Sequence, residues 1–389
     1  VAHRNPDFAE LRAAAAVMRR HDIAVVPVNY RVPPKSGPAF YGRLLKNVFS
    51  PLPYSVATHT SRAMRRAMDG LTRTDPPDLW HCEWTPYARA MVGRPGPWVV
   101  MAHNVESVIW QRFAQAETSP LRKSFLRRQW ERFERFESWA YAAATRAVAV
   151  SEQDADRIER LSGTRAAVVE NGVDTDFFQP ADAVPRDPHR VLFLGSLDWR
   201  PNLDAAQQLL DDIFPRVRAV KSRATLAIVG RKPPEWLRER ARNTPGVELH
   251  ADVPDVRPFL HAAGMMVVPL RVGGGSRLKI LEALATGLPV VTTTVGVEGL
   301  RLSDGEHCWV ADGSEAFASA VLDAMNDPAH ARQAAAAGQA RVRGEYDWAG
   351  LADRLGEVWE EAARGSEHTD AINRRIGYSF QPLGVTPVN

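Results

Sequence analysis

The residues most suited to chemistry lie between 269 and 291, where an apolar strand is predicted to lead into a glycine-rich loop and then into a helix. Gly273, Gly274 and Gly275 would let backbone amides approach an anion closely, and Ser276 follows them. The helix would add the positive end of its dipole at the same place. This order of elements predicts a phosphate-binding site.

The predicted helix after this loop carries two cations and a carboxylate. Arg277 and Lys279 would supply positive charge to a phosphate, and cations this close to a helix N-terminus oppose its dipole unless an anion is bound. Glu282 lies about a turn and a half into the helix, where its carboxylate could accept hydrogen bonds from sugar hydroxyls. The residues therefore predict a nucleotide diphosphate that carries a sugar as the ligand.

Alternating strands and helices must position these residues. Strands are predicted at 23–28, 98–102, 146–150 and 166–170 in the first half, and at 191–194, 225–229, 247–250, 265–269 and 289–293 in the second. Such alternation is typical of parallel sheets, in which ligands bind beyond the carboxyl ends of the strands. We predict two doubly wound, Rossmann-like α/β domains that face each other across a cleft.

Composition indicates where these domains begin and end. The first domain is predicted at 1–180 and the second at 188–345, and a Pro- and Asp-rich linker at 179–189 lies between them. A helix is expected over 346–365. Residues 366–389 are polar and lack periodicity, which indicates a loose tail.

Six fragments in register resemble the GT4-type family of retaining glycosyltransferases (group 1), which have the GT-B fold. They are 103–107, 148–154, 171–178, 193–202, 253–260 and the loop at 269–291. The resemblance implies a metal-independent hexosyltransferase that needs no cofactor and moves a sugar from a UDP- or GDP-sugar to a saccharide or lipid-linked saccharide acceptor. It also implies that helix 346–365 crosses back to the first domain, whose first strand and loop are expected to be missing here.

The resemblance assigns donor-binding roles within the second domain. Glu282 matches the second of two family glutamates and would hold the ribose, whereas Gly274 stands at the position of the first. Backbone amides of Gly274 and Gly275 must then replace that first carboxylate. The other donor-binding positions implied by the match are Ser196, Asn202, Arg231 and Val253.

The diphosphate also requires cations that differ from the family pattern. Ser196 and Pro201 stand approximately where many family members carry an arginine and a lysine. Two phosphates without cations beside them would be costly in a partly dehydrated cleft. Other basic residues must therefore take the place of that arginine and lysine. Arg277 and Lys279 are the candidates for catalysis, with Arg231 as a third cation.

The first domain would supply the groups around the reacting sugar and the acceptor. His103 ends a predicted strand and matches a family histidine near the sugar and the leaving phosphate, so it is the third catalytic candidate. Glu106 would orient His103 or contact the acceptor. His81, Glu83 and Trp84 follow a shorter strand. They either line the acceptor pocket or simply pack in the protein, and the sequence favours neither alternative.

Composition excludes other functions. The 49 Lys and Arg nearly balance the 46 Asp and Glu, and a net charge of +3 is small for a nucleic-acid-binding protein. Cys82 and Cys308 lack partners at metal-ligand spacing and are expected to be buried free thiols. Asp174 and Asp176 resemble a metal-binding Asp-x-Asp, but they lie in an Asn-Gly turn that they would cap. We predict no metal site.

The sequence leaves peripheral membrane contact open. It has no apolar run of about twenty residues and no signal peptide, so a cytoplasmic location is expected. A predicted helix at 122–141 mixes arginines with aromatic residues and could bind anionic lipids at the inner membrane face. We favour an ordinary surface helix, because Glu131, Glu134 and Glu137 are interspersed with the arginines.

Two other functions fit the same residues. A nucleotide-sugar 2-epimerase of this fold would release product without an acceptor. A noncatalytic sugar-nucleotide binding or scaffold protein is favoured by Gly274 at the first glutamate position and by the missing first strand. Work in cell-surface polysaccharide or glycolipid biosynthesis is expected by family analogy alone.

Overall fold

The computed structural model describes residues 8–30, 32–34, 36–181, 184–272 and 277–365. Within these ranges the chain divides into two compact units. Unit 1 contains the residues up to Val168 and those from Gly356 onward, and unit 2 is Val169–Leu355. Each unit has its own parallel sheet and its own apolar core.

The sheet of unit 1 has the order β1-β2-β3-β4. Its strands are Trp80–Cys82 (β1), Trp98–Ala102 (β2), Arg146–Ala149 (β3) and Ala167–Val168 (β4). All five residues of β2 are buried, because apolar side chains on both faces of a parallel strand pack under helices. In register, His81 pairs with Val99, which places the polar residues after β1 next to those after β2.

Helices account for most of the remainder of unit 1. They are Phe8–Arg19 (α1), Pro38–Val48 (α2), Tyr54–His59 (α3), Arg62–Thr74 (α4), Glu106–Ala116 (α5), Pro120–Ala143 (α6) and Glu152–Ser162 (α7), with a 3₁₀ helix at Thr85–Met91. The strand predicted at 23–28 is wrong. In the described residues that segment forms nothing longer than a single bridged residue, Val28, and Ile23 and Val26 are exposed, so an apolar run here does not pair along its length as a strand.

The sheet of unit 2 has the order β10-β9-β8-β5-β6-β7. Its strands are Asp187–Leu194 (β5), Thr225–Gly230 (β6), Val247–Ala251 (β7), Ala263–Val268 (β8), Val290–Thr292 (β9) and Trp309–Val310 (β10). From β5 the chain builds outward to β7, then returns to β8 on the other side of β5. The strand order therefore reverses between β5 and β8, where open α/β sheets bind ligands.

The helices of unit 2 follow its strands. They are Arg200–Gln208 (α8), Phe214–Val220 (α9), Glu235–Asn243 (α10), Arg257–Ala262 (α11), Leu278–Ala285 (α12), Thr294–Val297 (α13), Ser314–Asn326 (α14), Pro328–Glu345 (α15) and Trp348–Arg364 (α16), with a π-helical turn at Leu209–Ile213. The division between units falls within α16.

Unit 2 begins earlier than the boundary expected at 180–188. The backbone N–H of Val173 donates to the carbonyl oxygen of Tyr346 at 2.8 Å, and Val173 belongs to the core of this unit. A Cβ on Gly172 would lie only 2.7 Å from that same carbonyl oxygen. The segment from Val169 is therefore tied to the end of α15.

Candidate functional site

A hydrogen-bonded chain of side chains lies at the carboxyl ends of β5 and β6. Nε of Arg231 donates to Oγ of Ser196 at 3.0 Å, and Nδ2 of Asn202 donates to the carbonyl oxygen of Ser196 at 3.0 Å. Nζ of Lys279 donates to Oδ1 of Asn202 at 2.8 Å. The structure thus brings together four of the residues proposed from sequence to bind the donor.

Two glycines make this arrangement possible. A Cβ on Gly230 would lie 1.9 Å from the carbonyl oxygen of Gly195, and a Cβ on Gly195 would lie 2.8 Å from Cγ of Asn202. The ends of β5 and β6 approach each other more closely than any larger residue permits. Neither glycine had a role assigned to it from the sequence.

Lys279 is a half-buried cation at the strand-order reversal. Its Nζ lies 5.0 Å from the centroid of the Phe193 ring. Burial first, and then the charge of Arg277, lowers the pKa of Lys279 to about 7, while Glu282 acts in the opposite direction. A dianionic phosphate beside this amine would strongly favour its charged form.

Arg277 and Glu282 also lie inside the protein surface. Arg277 precedes α12, is only 6% exposed, and donates from Nη2 to the carbonyl oxygen of Val295 at 3.4 Å. Glu282 is half-buried, and burial raises its pKa despite the opposing effect of Lys279. Both groups are therefore partly dehydrated, unlike ordinary charges in the first turns of a surface helix.

The other proposed donor-binding residues differ in their surroundings. The side chain of Arg231 is 65% exposed and lies 3.7 Å from a carboxylate oxygen of Asp198. Val253 is half-buried and packs against the core of unit 2. The loop residues Gly273, Gly274, Gly275 and Ser276 lie outside the described residues, so their phosphate cradle stays a prediction.

In unit 1, Glu83 joins two histidines at the carboxyl ends of β1 and β2. Its Oε2 lies 2.7 Å from Nε2 of His81, and its Oε1 lies 2.8 Å from Nε2 of His103. The hydrogen bonds from His103 and His81 lower the pKa of Glu83 to about 2. Glu83 is therefore a carboxylate throughout the neutral range.

A second carboxylate pair anchors the start of α5. Nε1 of Trp84 donates to Oε1 of Glu106 at 2.9 Å. The backbone N–H groups of Glu106 and Ser107 donate to the carboxylate of Glu137 at 2.7 and 3.0 Å, and the hydroxyl of Tyr141 donates to it at 3.2 Å. Burial raises the pKa of Glu137 to about 7. From the sequence Glu137 was expected on the helix surface, whereas it is a buried acid that holds Glu106 in place.

The charge distribution on α6 differs from expectation. Glu137 is fully buried, Glu134 is half-buried, and Glu131 is the exposed partner of Arg127 at 3.0 Å. Of these three glutamates only Glu131 therefore neutralises charge on the exposed face of the helix. That face carries Arg122, Lys123, Arg127, Arg128 and Arg135.

Two smaller expectations concern the cysteines and the turn at Asp174. Cys82 and Cys308 are buried free thiols as predicted, and burial raises the pKa of each to about 12. Oδ1 of Asp174 accepts hydrogen bonds from the backbone N–H groups of Asp176 and Phe177 at 3.1 and 2.8 Å, as expected for a turn cap. In the described part of the chain no group of three potential metal ligands occurs, and no helix has the length and apolarity to span a bilayer.

Two parallel-sheet α/β units, each with polar side chains at its strand ends, define a protein of the GT-B class. Solved structures with this fold match across most of the chain. Sucrose-phosphate synthase from Thermosynechococcus elongatus has a TM-score of 0.64 at 19% identity and covers 79% of this chain and 78% of its own. HepE of Anabaena, in complex with UDP-glucose, has a TM-score of 0.62 at 15% identity, with coverages of 92% and 97%.

The chain belongs to the group 1, GT4-type family of glycosyltransferases. The model of "Glycosyltransferase Family 4" matches residues 6–177, and that of "Glycosyl transferases group 1" matches residues 188–327. Glycogen synthase of Mycobacterium tuberculosis is 29% identical over 242 residues, which are 59% of this chain and 57% of that protein. Phosphatidyl-myo-inositol mannosyltransferase of Mycobacterium leprae is 31% identical over 210 residues, 52% of this chain and 55% of that protein. The matches thus span little more than half of these relatives.

Proposed function

We propose that this protein is a retaining, metal-independent glycosyltransferase that moves a sugar from a nucleotide diphosphate to a hydroxyl acceptor. One observation carries the proposal: Lys279, held on Asn202, and the buried Arg277 place two partly dehydrated cations where the strand order of unit 2 reverses. Because dehydrated cations are costly without an anion, this place suits a diphosphate.

The proposed donor lies across the carboxyl edge of the sheet in unit 2. Glu282 accepts hydrogen bonds from the ribose, and Arg231, with Ser196, lies at the outer end of the side-chain network. Arg277 and Lys279 bind the diphosphate together with amides of the glycine loop. The donor base is uracil or guanine, as in the donors expected from the family.

In the proposed reaction the acceptor oxygen attacks the anomeric carbon on the face from which the phosphate departs. The bond from that carbon to the phosphate oxygen breaks, and the departing oxygen takes the acceptor proton. Arg277 and Lys279 stabilise the charge that develops on the diphosphate. No protein nucleophile is required, and His103 stabilises the sugar or the leaving group.

The proposed acceptor is a saccharide or a lipid-linked saccharide. The two relatives named above are a glycogen synthase and a phosphatidyl-myo-inositol mannosyltransferase, so one name refers to a polysaccharide and the other to a lipid. His81, Glu83, Trp84 and Glu106 in unit 1 are the polar and aromatic groups proposed to contact it. The product would enter a cell-surface polysaccharide or a glycolipid.

An exposed apolar stripe on α2 supports peripheral contact with an anionic membrane. Tyr41, Leu45 and Phe49 recur every four residues and are 69%, 66% and 86% exposed. Gln129 of α6 donates to Oδ1 of Asn47 at 2.9 Å, which ties the end of α2 to the helix with the basic exposed face. An exposed apolar stripe on a helix that is tied to a helix with a basic face matches the chemistry of a lipid interface.

The experiment measures both binding and turnover. Nucleoside diphosphates are titrated by calorimetry, and a panel of UDP- and GDP-sugars is then incubated with and without saccharide acceptors. A retaining transferase turns over the donor only when an acceptor is present. The new glycosidic bond then has the same anomeric configuration, α or β, as the donor. An epimerase alters the donor without an acceptor, and a noncatalytic protein binds but turns over nothing.

A further inference from the structure

A chain of hydrogen bonds in unit 1 leads from α16 to His103. Nε1 of Trp359 donates to Nδ1 of His81 at 2.9 Å. Nε2 of His81 lies 2.7 Å from Oε2 of Glu83, whose Oε1 lies 2.8 Å from Nε2 of His103. Trp359 lies at the end of this hydrogen-bonded network opposite His103, and it belongs to none of the motifs assigned a function.

The indole donor at one end and the Glu83 carboxylate, which can only accept, together fix the direction of each hydrogen bond in this network. An indole N–H can only donate, so Nδ1 of His81 must accept and its proton must lie on Nε2. That proton is donated to the Glu83 carboxylate, whose other oxygen accepts the Nε2 proton of His103. Trp359 thus selects the His81 tautomer that holds Glu83 in place.

We infer that Trp359 is a positioning residue for His103, acting through His81 and Glu83; this inference rests on the catalytic role proposed above for His103. Without the indole donor, His81 can adopt its other neutral tautomer and turn a nitrogen lone pair toward the Glu83 carboxylate. That contact is repulsive, so Glu83 leaves the position in which it orients His103. A carboxylate that orients a histidine in this way is a recurring device in catalytic sites.

Ring packing is the competing explanation for Trp359. Its ring meets that of His81 edge-on, with centroids 5.5 Å apart and an interplanar angle of 74°. The Trp359→Phe variant keeps an aromatic ring there, although a smaller one, and removes the N–H donor. Trp348→Phe is the matched control, because Trp348 lies on the same helix and is 64% exposed.

Activity measurements separate the two explanations. We expect W359F to lower kcat about three- to tenfold, the range of one lost hydrogen bond, with the KM of the donor unchanged because its proposed ligands lie in unit 2. W348F should behave as wild type. In the H103A background, W359F should cause no further loss, because its effect passes through His103. Equal rates for W359F and wild type, or an undiminished loss in H103A, overturn the inference.

A measurement that does not depend on turnover distinguishes a failure of the positioning role from a failure of the proposed function. Side-chain ¹⁵N spectra of histidine should show His81 as the Nε2–H tautomer in wild type and a mixture in W359F, with a shift of the His103 ring signals. If no donor is turned over but these changes occur, the proposed function fails and the positioning role stands. If His103 signals are the same in W359F and wild type, the positioning role fails whatever the activity.

Discussion

Asn202 and Lys279, which are 77 residues apart in the chain, meet through a hydrogen bond of 2.8 Å from the lysine ammonium to the asparagine amide oxygen. The contact exists because β5 and β8 are neighbours in the sheet, although two other strands, β6 and β7, lie between them in the chain. Asn202 lies in the first turn of α8, which follows β5, and Lys279 lies in the first turn of α12, which follows β8. The pair marks the strand-order reversal as the place where a charged ligand would lie.

Removal of the lysine should impair donor binding and transfer without unfolding unit 2. K279A is expected to lower kcat/KM by about 10- to 100-fold, since a charge-assisted contact to phosphate contributes about 1.5–3 kcal/mol. Steady-state kinetics with the best donor measures this, and thermal unfolding monitors the fold. The control K221A removes a lysine at the end of α9 and should change neither. Wild-type kinetics for K279A would refute the phosphate-binding role.

Binding of a nucleotide should be accompanied by protonation of the Lys279 amine, which can be measured as proton uptake. Since the pKa of Lys279 is lowered to about 7, most of the free protein carries the neutral amine at pH 8. A diphosphate favours the ammonium, so binding takes up close to one proton at pH 8 and much less at pH 6. Calorimetry of UDP or GDP in buffers with different ionisation enthalpies measures the uptake. In K279M the buffer dependence at pH 8 should disappear; if it persists, another group takes up the proton.

The sequence predicts best where local pattern and burial coincide. The strand predicted at 98–102 is β2, because five apolar residues buried on both faces leave a strong signal. The run at 23–28 has a similar pattern and fails as a strand, since an apolar run does not say whether a neighbouring strand exists to pair with it. Neighbour relations of this kind are set by the whole fold.

In the candidate site, too, local spacing can be predicted from the sequence, whereas contacts between distant residues cannot. The positions of Lys279 and Glu282 relative to each other follow from helical spacing within α12, and Arg277 directly precedes that helix. Their contact with Asn202 depends on strand order, and the hydrogen bond from Trp359 to His81 joins residues 278 apart. Glu137 looks like any glutamate of a charged helix in sequence, and only the packing of α5 on α6 shows that it is buried.

Glu282 should distinguish the nucleoside from the diphosphate. E282A removes the proposed acceptor of ribose hydroxyl groups, so the affinity for UDP or GDP should fall about tenfold or more. Affinity for inorganic pyrophosphate, which has no ribose, should stay within about twofold. Calorimetry with the three ligands measures the difference, and E239A on the exposed face of α10 is the control. Equal losses for pyrophosphate and nucleotide would contradict a ribose contact.

The buried acid Glu137 should make the stability of unit 1 depend on pH. Its pKa is raised from 4.5 to about 7, so the folded state binds more protons than the unfolded state between these values. Stability from this group is therefore greatest below pH 4.5 and falls as the pH rises through 7.

E137A, which leaves two backbone N–H groups and a tyrosine hydroxyl without their acceptor, should destabilise unit 1 by about 2–4 kcal/mol. Urea unfolding at several pH values measures both effects. E131A, at an exposed ion pair of the same helix, should cost less than about 1 kcal/mol; a comparable loss would argue against the buried acid as the cause.

The apolar stripe on α2 should control binding to anionic vesicles. Replacing Leu45 and Phe49 by serine removes apolar side chains that are exposed in the structure, so the fold should be unaffected while membrane affinity falls. Cosedimentation with vesicles containing phosphatidylglycerol measures binding, and we expect at least a tenfold loss for L45S/F49S. Vesicles of phosphatidylcholine alone should bind the wild-type protein weakly, and added salt should weaken binding to the anionic vesicles, because the basic face of α6 contributes through charge. V220S, which removes an exposed apolar residue of unit 2, is the matched control. If wild type and L45S/F49S sediment equally with the anionic vesicles, α2 is not the membrane contact.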